Sequence, residues 1–170
     1  STQTSTKSPQ VRQNSHTQMI PSLLLPNSVI VQHANNNLDV VWHESRLFIA
    51  WRSAPNHFAS PQAVMHVMSA DQNLDSWRHE GSFNLNTDLR EPQLVSHSDD
   101  LILYMAKLGT NPRAFEPQGS IFMKYVGPSE WSAPVDVFPE NFIPWRIETR
   151  VGGGFEVLGY TGGENVYEVD

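Results

Sequence analysis

A chain of 170 residues with 39% hydrophobic content, five Trp, eight Phe and four Tyr can form one domain with a sizeable core, and it is rich in the aromatics that fill sheets. Its formal charge of -7, with no basic patch to offset it, argues against a nucleic-acid partner. Without cysteine there are no disulfides and no thiolate chemistry, and the longest early apolar run, Met19 to Pro26, is broken by proline and too short to span a bilayer.

Residues 1–27 read as a disordered or loosely packed N-terminal arm, because their first eighteen are Ser, Thr and Gln rich with almost no apolar side chains. From Ser28 the texture changes to short apolar runs separated by Gly, Pro, Asn and Asp. Leu38 to Trp42, Leu47 to Trp51, Ala63 to Met68 and Trp77 to Phe83 are each of strand length and β-prone, which predicts four strands joined up and down.

The pattern then recurs. Leu47-Phe48-Ile49-Ala50 returns as Leu101-Ile102-Leu103-Tyr104 and again as Phe155-Glu156-Val157-Leu158, at a spacing of 54 residues each time. Trp77 returns as Trp131 at the same spacing. A period near that length with four strands per unit predicts an all-β fold of β-propeller type, built of four-stranded antiparallel blades. The units run over about 36–83, 90–138 and 145–170 inside a domain of residues 28–170, so the ring is incomplete at about two and a half blades. Open blade edges predict self-association, or a second chain that covers them.

In such units the long polar connections, Arg52 to Gln62, Asn84 to Glu91, Ala106 to Gly119 and Pro139 to Trp145, share one face, where binding usually lives. The starts of the inner strands carry Asn35, Asn36, Asn37 and Asp39, then Asp88, Arg90 and Glu91, then Trp145 and Arg146, with Arg52 and Arg113 in neighbouring loops. Converging near an axis, these would surround one pit. Asp39 and Glu91 are the candidate acid/base carboxylates of glycosidic cleavage. Arg52, Asp88, Arg90, Arg113, Trp145 and Arg146 are the candidate substrate contacts, the arginines for an anionic ligand and the indole for a sugar face. The expected partner is a glycan or other small molecule.

The histidines give no metal signature, and no cofactor is implied. His66 lies within an apolar strand and reads as a packed core residue. Gly152-Gly153-Gly154 is a strand turn with no helix after it, so it is not a phosphate loop. No Gly-x-Ser-x-Gly elbow occurs.

These residues resemble the sialidase-like β-propellers and, more distantly, the five-bladed glycosidases related to invertases and arabinanases. Ser69 to Trp77 looks like a degenerate Asp box, with the Ser, Asp and Trp but one extra residue and no Gly. Gly127-Pro128-Ser129-Glu130-Trp131-Ser132 takes the equivalent place in the second unit. Arg90-Glu91-Pro92 is similar to the Arg-Asp-Pro element of the five-bladed enzymes, and Asp39 stands where they carry a first-blade aspartate. The resemblance implies a carbohydrate-active protein whose site lies opposite the Asp boxes; the alternatives are a non-catalytic glycan-binding or protein-interaction module, or one part of a larger propeller completed by another chain or by self-association. It also implies that Arg90 and Arg146 could meet a ligand carboxylate. It places the sialidase nucleophile, a tyrosine with its glutamate, in later blades than the units present here.

Overall fold

The structure is a computed structural model that describes residues 16–161 and, for backbone alone, 165–169. Among the described residues there is no helix. Twelve strands form three antiparallel sheets, and no barrel is closed.

The first sheet is an up-and-down meander of β1 (Ala34–His43), β2 (Arg46–Ala54), β3 (Val64–Ala70) and β4 (Trp77–Phe83). The second contains β5 (Leu89–His97), β6 (Asp100–Lys107), β7 (Ser120–Gly127), β8 (Glu130–Trp131) and β9 (Val135–Val137). The third contains β10 (Phe142–Thr149), β11 (Phe155–Thr161) and β12 (Asn165–Val169). Strands β2, β3 and β6 are buried on both faces, which is why they read as nearly unbroken apolar runs.

The sheets pack face to face. Phe48, Ala50, Met65 and Val67 of the first sheet meet Leu94, Leu103, Met105 and Ile121 of the second. The other face of the second sheet, through Val95, Ile102 and Tyr104, meets Phe142, Ile147 and Val157 of the third. A buried carboxylate ties the first two sheets together beyond this apolar contact. Glu80 on β4 accepts the Ser129 N–H at 2.9 Å and the Arg78 Nε–H at 2.7 Å, and its backbone carbonyl accepts the Trp131 indole N–H at 2.9 Å.

Trp131 accounts for one departure from expectation. A single fourth strand would mirror β4, but the chain forms two short strands, β8 and β9, both against β7. Pro134 cannot donate to a ladder, and Trp131 turns inward to pack edge-on against Phe83 and Tyr125. The supposed arm differs too. Ile20, Leu25, Val29 and Val31 from the segment 16–33 pack over Trp51 and Met68, so this strap covers part of the first sheet's outer face. Residues 1–15 lie outside the described part.

The hairpin turns repeat with the strands. Glu44 and Ser98 each hold the first of two turn residues at positive φ, 51° and 52°, whereas the third sheet turns through five residues, 150–154, with Gly152, Gly153 and Gly154 all at positive φ. A left-handed residue there strains any side chain but glycine. Ser98→Gly should therefore raise stability by about 0.5–1 kcal/mol, read as a higher urea midpoint at unchanged slope.

Candidate functional site

The first strand of each sheet breaks register at one height. The ladder skips between Asn36 and Leu38 on β1, between Arg90 and Gln93 on β5, and between Pro144 and Arg146 on β10. These breaks are 54 residues apart. The inserted residues are Asn37, Glu91 with Pro92, and Trp145, and a bulge aims an extra side chain out of the pleat. Asn37 and Glu91 take left-handed backbone, φ 46° and 48°, which is uncommon for such residues and concentrates at functional sites. Their side chains meet: the Asn37 amide donates to Glu91 Oε1 at 2.7 Å.

All three bulges open on one cleft of about 500 Å³. Its walls come from the β2–β3 connection (His57, Phe58), the β6–β7 connection (Asn111 to Phe115) and Tyr160 on β11. Up-and-down connectivity puts these segments at one end of the sheets. The Asp71 to Trp77 turn lies at the other end, where the Asn73 N–H donates to Asp71 Oδ1 at 3.1 Å and the Trp77 indole to the Leu74 carbonyl at 3.1 Å.

Burial pushes the Glu91 carboxyl above the usual range, and the nearby Arg90 charge pulls it part of the way back. Burial also raises the Tyr160 hydroxyl, with Glu91 adding to the effect and Arg90 opposing it. The Tyr160 ring lies 5.6 Å from that of Trp145, centroid to centroid, and the Trp145 indole is more than half exposed. Arg113 stands at the rim, and its guanidinium has no ion pair or hydrogen bond among the described residues.

Three of the expected site residues, Arg52, Asp39 and Arg146, lie off this cleft, while Asp88 lines it with both oxygens engaged. Arg52 does not line the cleft. Its side chain is wholly buried behind the wall, donating to Asp88 Oδ1 at 2.7 Å, to the Asn56 carbonyl at 3.2 Å and to the Phe58 carbonyl at 3.0 Å. Asp88 is equally buried and spends its other oxygen on Arg90 Nε at 2.6 Å. The arginine–aspartate–arginine triad thus shapes the wall, and Arg90 extends it by donating to the His57 carbonyl.

Asp39 and Arg146 face another cavity, a smaller one among β1, β5 and β10 that Glu148 also lines. Asp39 Oδ2 accepts the Leu94 N–H at 2.7 Å, and Arg146 Nε donates to Glu148 at 2.6 Å. Burial raises the Asp39 carboxyl despite that backbone bond. The expected single pit is therefore two cavities, with Glu91 on one and Asp39 on the other.

Phe58, Phe115 and Tyr160 were not among the expected site residues, and Asn37 was noted at the strand entrance without a role. Asn37 was within reach of the sequence, since it precedes Glu91 by the same 54 residues that separate Glu91 from Trp145. No protein-family model matches the chain, and no curated protein matches it at a significant level. Among the described residues no group of three or more metal-ligating side chains is assembled.

Proposed function

We propose that the three sheets are blades of a propeller-type fold of sialidase-like ancestry, and that the cleft at the inner-strand bulges binds a glycan. The observation that carries this reading is the pairing of Glu91 with an exposed Trp145, set at matching bulges of neighbouring strands and opening on one cleft. The exposed indole offers a flat apolar platform for the C–H face of a sugar ring, with the Tyr160 ring set beside it at 58°. A half-buried carboxylate and an amide take its hydroxyls. The unpaired guanidinium of Arg113 at the rim suits a sugar that carries a negative charge.

Hydrolysis is the second reading, and one observation favours it: burial raises Glu91 toward the range of a proton donor. Cleavage by the usual route needs a second carboxylate across the same bond. Asp39 opens on the other cavity and both oxygens of Asp88 are engaged by arginines, so binding is the stronger reading.

Calorimetric titration with neutral and acidic oligosaccharides tests both. Trp145→Ala should weaken binding roughly tenfold or more, the equivalent of about 1.4 kcal/mol. Glu91→Gln should leave Kd within a fewfold if the site only binds, and should abolish turnover of fluorogenic glycosides if it cleaves. No binding to any glycan, or binding that both substitutions leave untouched, would remove this assignment.

A further inference from the structure

The strap 16–33 lies on the first sheet without joining it. Its backbone hydrogen bonds are local turns, from the Val29 N–H to the Pro26 carbonyl at 2.9 Å and from the Leu25 N–H to the Ser22 carbonyl at 3.4 Å. Among the described residues none of them enters a ladder. One end is pinned by Gln32, whose N–H donates to Ser53 Oγ at 2.7 Å and whose side-chain amide donates to the Gln62 carbonyl at 2.7 Å. From there back to Ile20 the strap is held by apolar contact with Trp51 and Met68 and by one polar chain. A segment with so few backbone bonds to its support belongs to the part of a fold that opens first.

The polar chain runs through two histidines. Ser28 Oγ on the strap pairs with His79 Nδ1 at 2.9 Å, His79 Nε2 with Ser82 Oγ at 2.8 Å, and Ser82 Oγ with His66 Nδ1 at 2.7 Å. His66 is 2% exposed and stands on the outer face of β3, because Met65 and Val67 on either side of it point into the core. The strap is what closes over that face. The Nε2 of His66 is buried with no hydrogen-bond partner. The Ile30 backbone of the strap favours a charged ring, but burial outweighs it.

No counter-charge stands by. Between Thr17 and Gln32 the strap has no ionisable side chain. On this face β2 presents Ile49 and Trp51, β3 presents Met68, and β4 presents Trp77 and His79. Glu80 points the other way, toward Ser129 of the second sheet. Two imidazoles therefore share one hydroxyl with no carboxylate beside them. Acid sets like charges on either side of Ser82, and water can reach a charged His66 only when the strap lifts.

We infer that the strap is an acid-released cover: charging of His66 lifts residues 16–31 off the first sheet while the three sheets stay folded. Gln32 is the hinge. Release bares Trp51 and Met68 next to the exposed side chains of Leu38, Val40 and Trp42 on the neighbouring strand, so acid turns a half-covered face into one apolar surface. The device lies away from the cleft and does not depend on the glycan reading.

The absence of native cysteine gives a direct test, because an introduced thiol stands alone in the chain. Met68→Cys puts a thiol under the strap, Val29→Cys puts one on the strap's own buried side, and Met65→Cys puts one between the first two sheets. Labelling by a dithiodipyridine, which reacts in acid, is followed from pH 7 to pH 4 and divided by the rate for an unstructured peptide thiol. With His66 moving from 6.5 when open to about 4 when closed, labelling of Met68→Cys and Val29→Cys is expected to rise about a hundredfold over that range. Met65→Cys is expected to stay slow throughout. Adding His66→Gln, which can still bond Ser82 but cannot charge, is expected to remove most of the rise, and His66→Phe should do the same. Thermal midpoints at pH 7 confirm that each variant is folded. Equal acceleration at Met65→Cys would overturn the inference, by showing that the sheets open with the strap. So would a flat rate at both strap positions, or a rise that survives the loss of His66.

Discussion

Asp88→Ala is expected to destabilise the fold by about 3–5 kcal/mol, the cost of leaving a buried charge without its partner. The triad makes the case sharper than a single pair would. Asp88 holds Arg52 at 2.7 Å and Arg90 at 2.6 Å, and the Arg52 side chain has no solvent to fall back on. Its other donors meet Asn36 Oδ1 at 3.3 Å and the Asn56 and Phe58 carbonyls, so the guanidinium cannot swing outward without releasing the β2–β3 connection that walls the cleft. Urea unfolding followed by tryptophan fluorescence measures the loss. Arg113→Ala, at an exposed rim position, should stay within about 0.5 kcal/mol of the wild type. Replacing both buried partners, Arg52→Met with Asp88→Leu, should recover part of the loss, because the desolvation penalty leaves with the charges. An Asp88→Ala protein as stable as the wild type would show that the triad is not what holds this wall.

The second large effect is pH dependence, and His66 sets it. Its imidazole is buried against Trp51, with ring centroids 5.1 Å apart, and Nδ1 pairs with Ser82 Oγ at 2.7 Å. Burial, helped by the charge of nearby His79, lowers its pKa from 6.5 to about 4. Between those values the unfolded chain binds more protons than the folded one, so stability falls as the solution is acidified. The contribution is complete above pH 6.5 and gone below about 4, and it amounts to roughly 3 kcal/mol.

Asp39 and Glu91 act in the opposite sense. Their folded values are raised, so they add stability at low pH and give it up as pH climbs through them. Across the histidine window the His66 contribution dominates. Thermal midpoints measured between pH 4 and 7 should fall on the acid side, and His66→Phe should flatten that slope. A wild-type profile that is flat there would contradict a neutral, buried His66.

The strand runs and their spacing were legible because both follow from local rules. Leu47 to Ala50 and Leu101 to Tyr104 are central strands buried on two faces, and such strands announce themselves as unbroken apolar runs. The placement of charges was less legible. Nothing local separates Arg52, which is sealed inside, from Arg113, which is open, because the difference lies in Asp88, 36 residues further on. The split between Asp39 and Glu91 has another cause. One inserted residue reverses which side of the strand the following side chains take, and side-chain parity is what assigns a residue to a cavity. Asp39 lies two residues past the inserted Asn37 on β1 whereas Glu91 is itself an inserted residue on β5, so the two carboxylates reach different cavities.

The three bulges also bear on how such a site can change. A residue inserted between ladder pairs leaves the pairing of its neighbours intact whatever side chain it carries, so long as it tolerates the backbone turn. Here the same socket holds an amide at Asn37, a carboxylate at Glu91 and an indole at Trp145, while the strands around them keep their partners. The scaffold thus offers interchangeable seats around a common opening. New chemistry can be fitted at any one of them with little disturbance to the architecture that holds the other two.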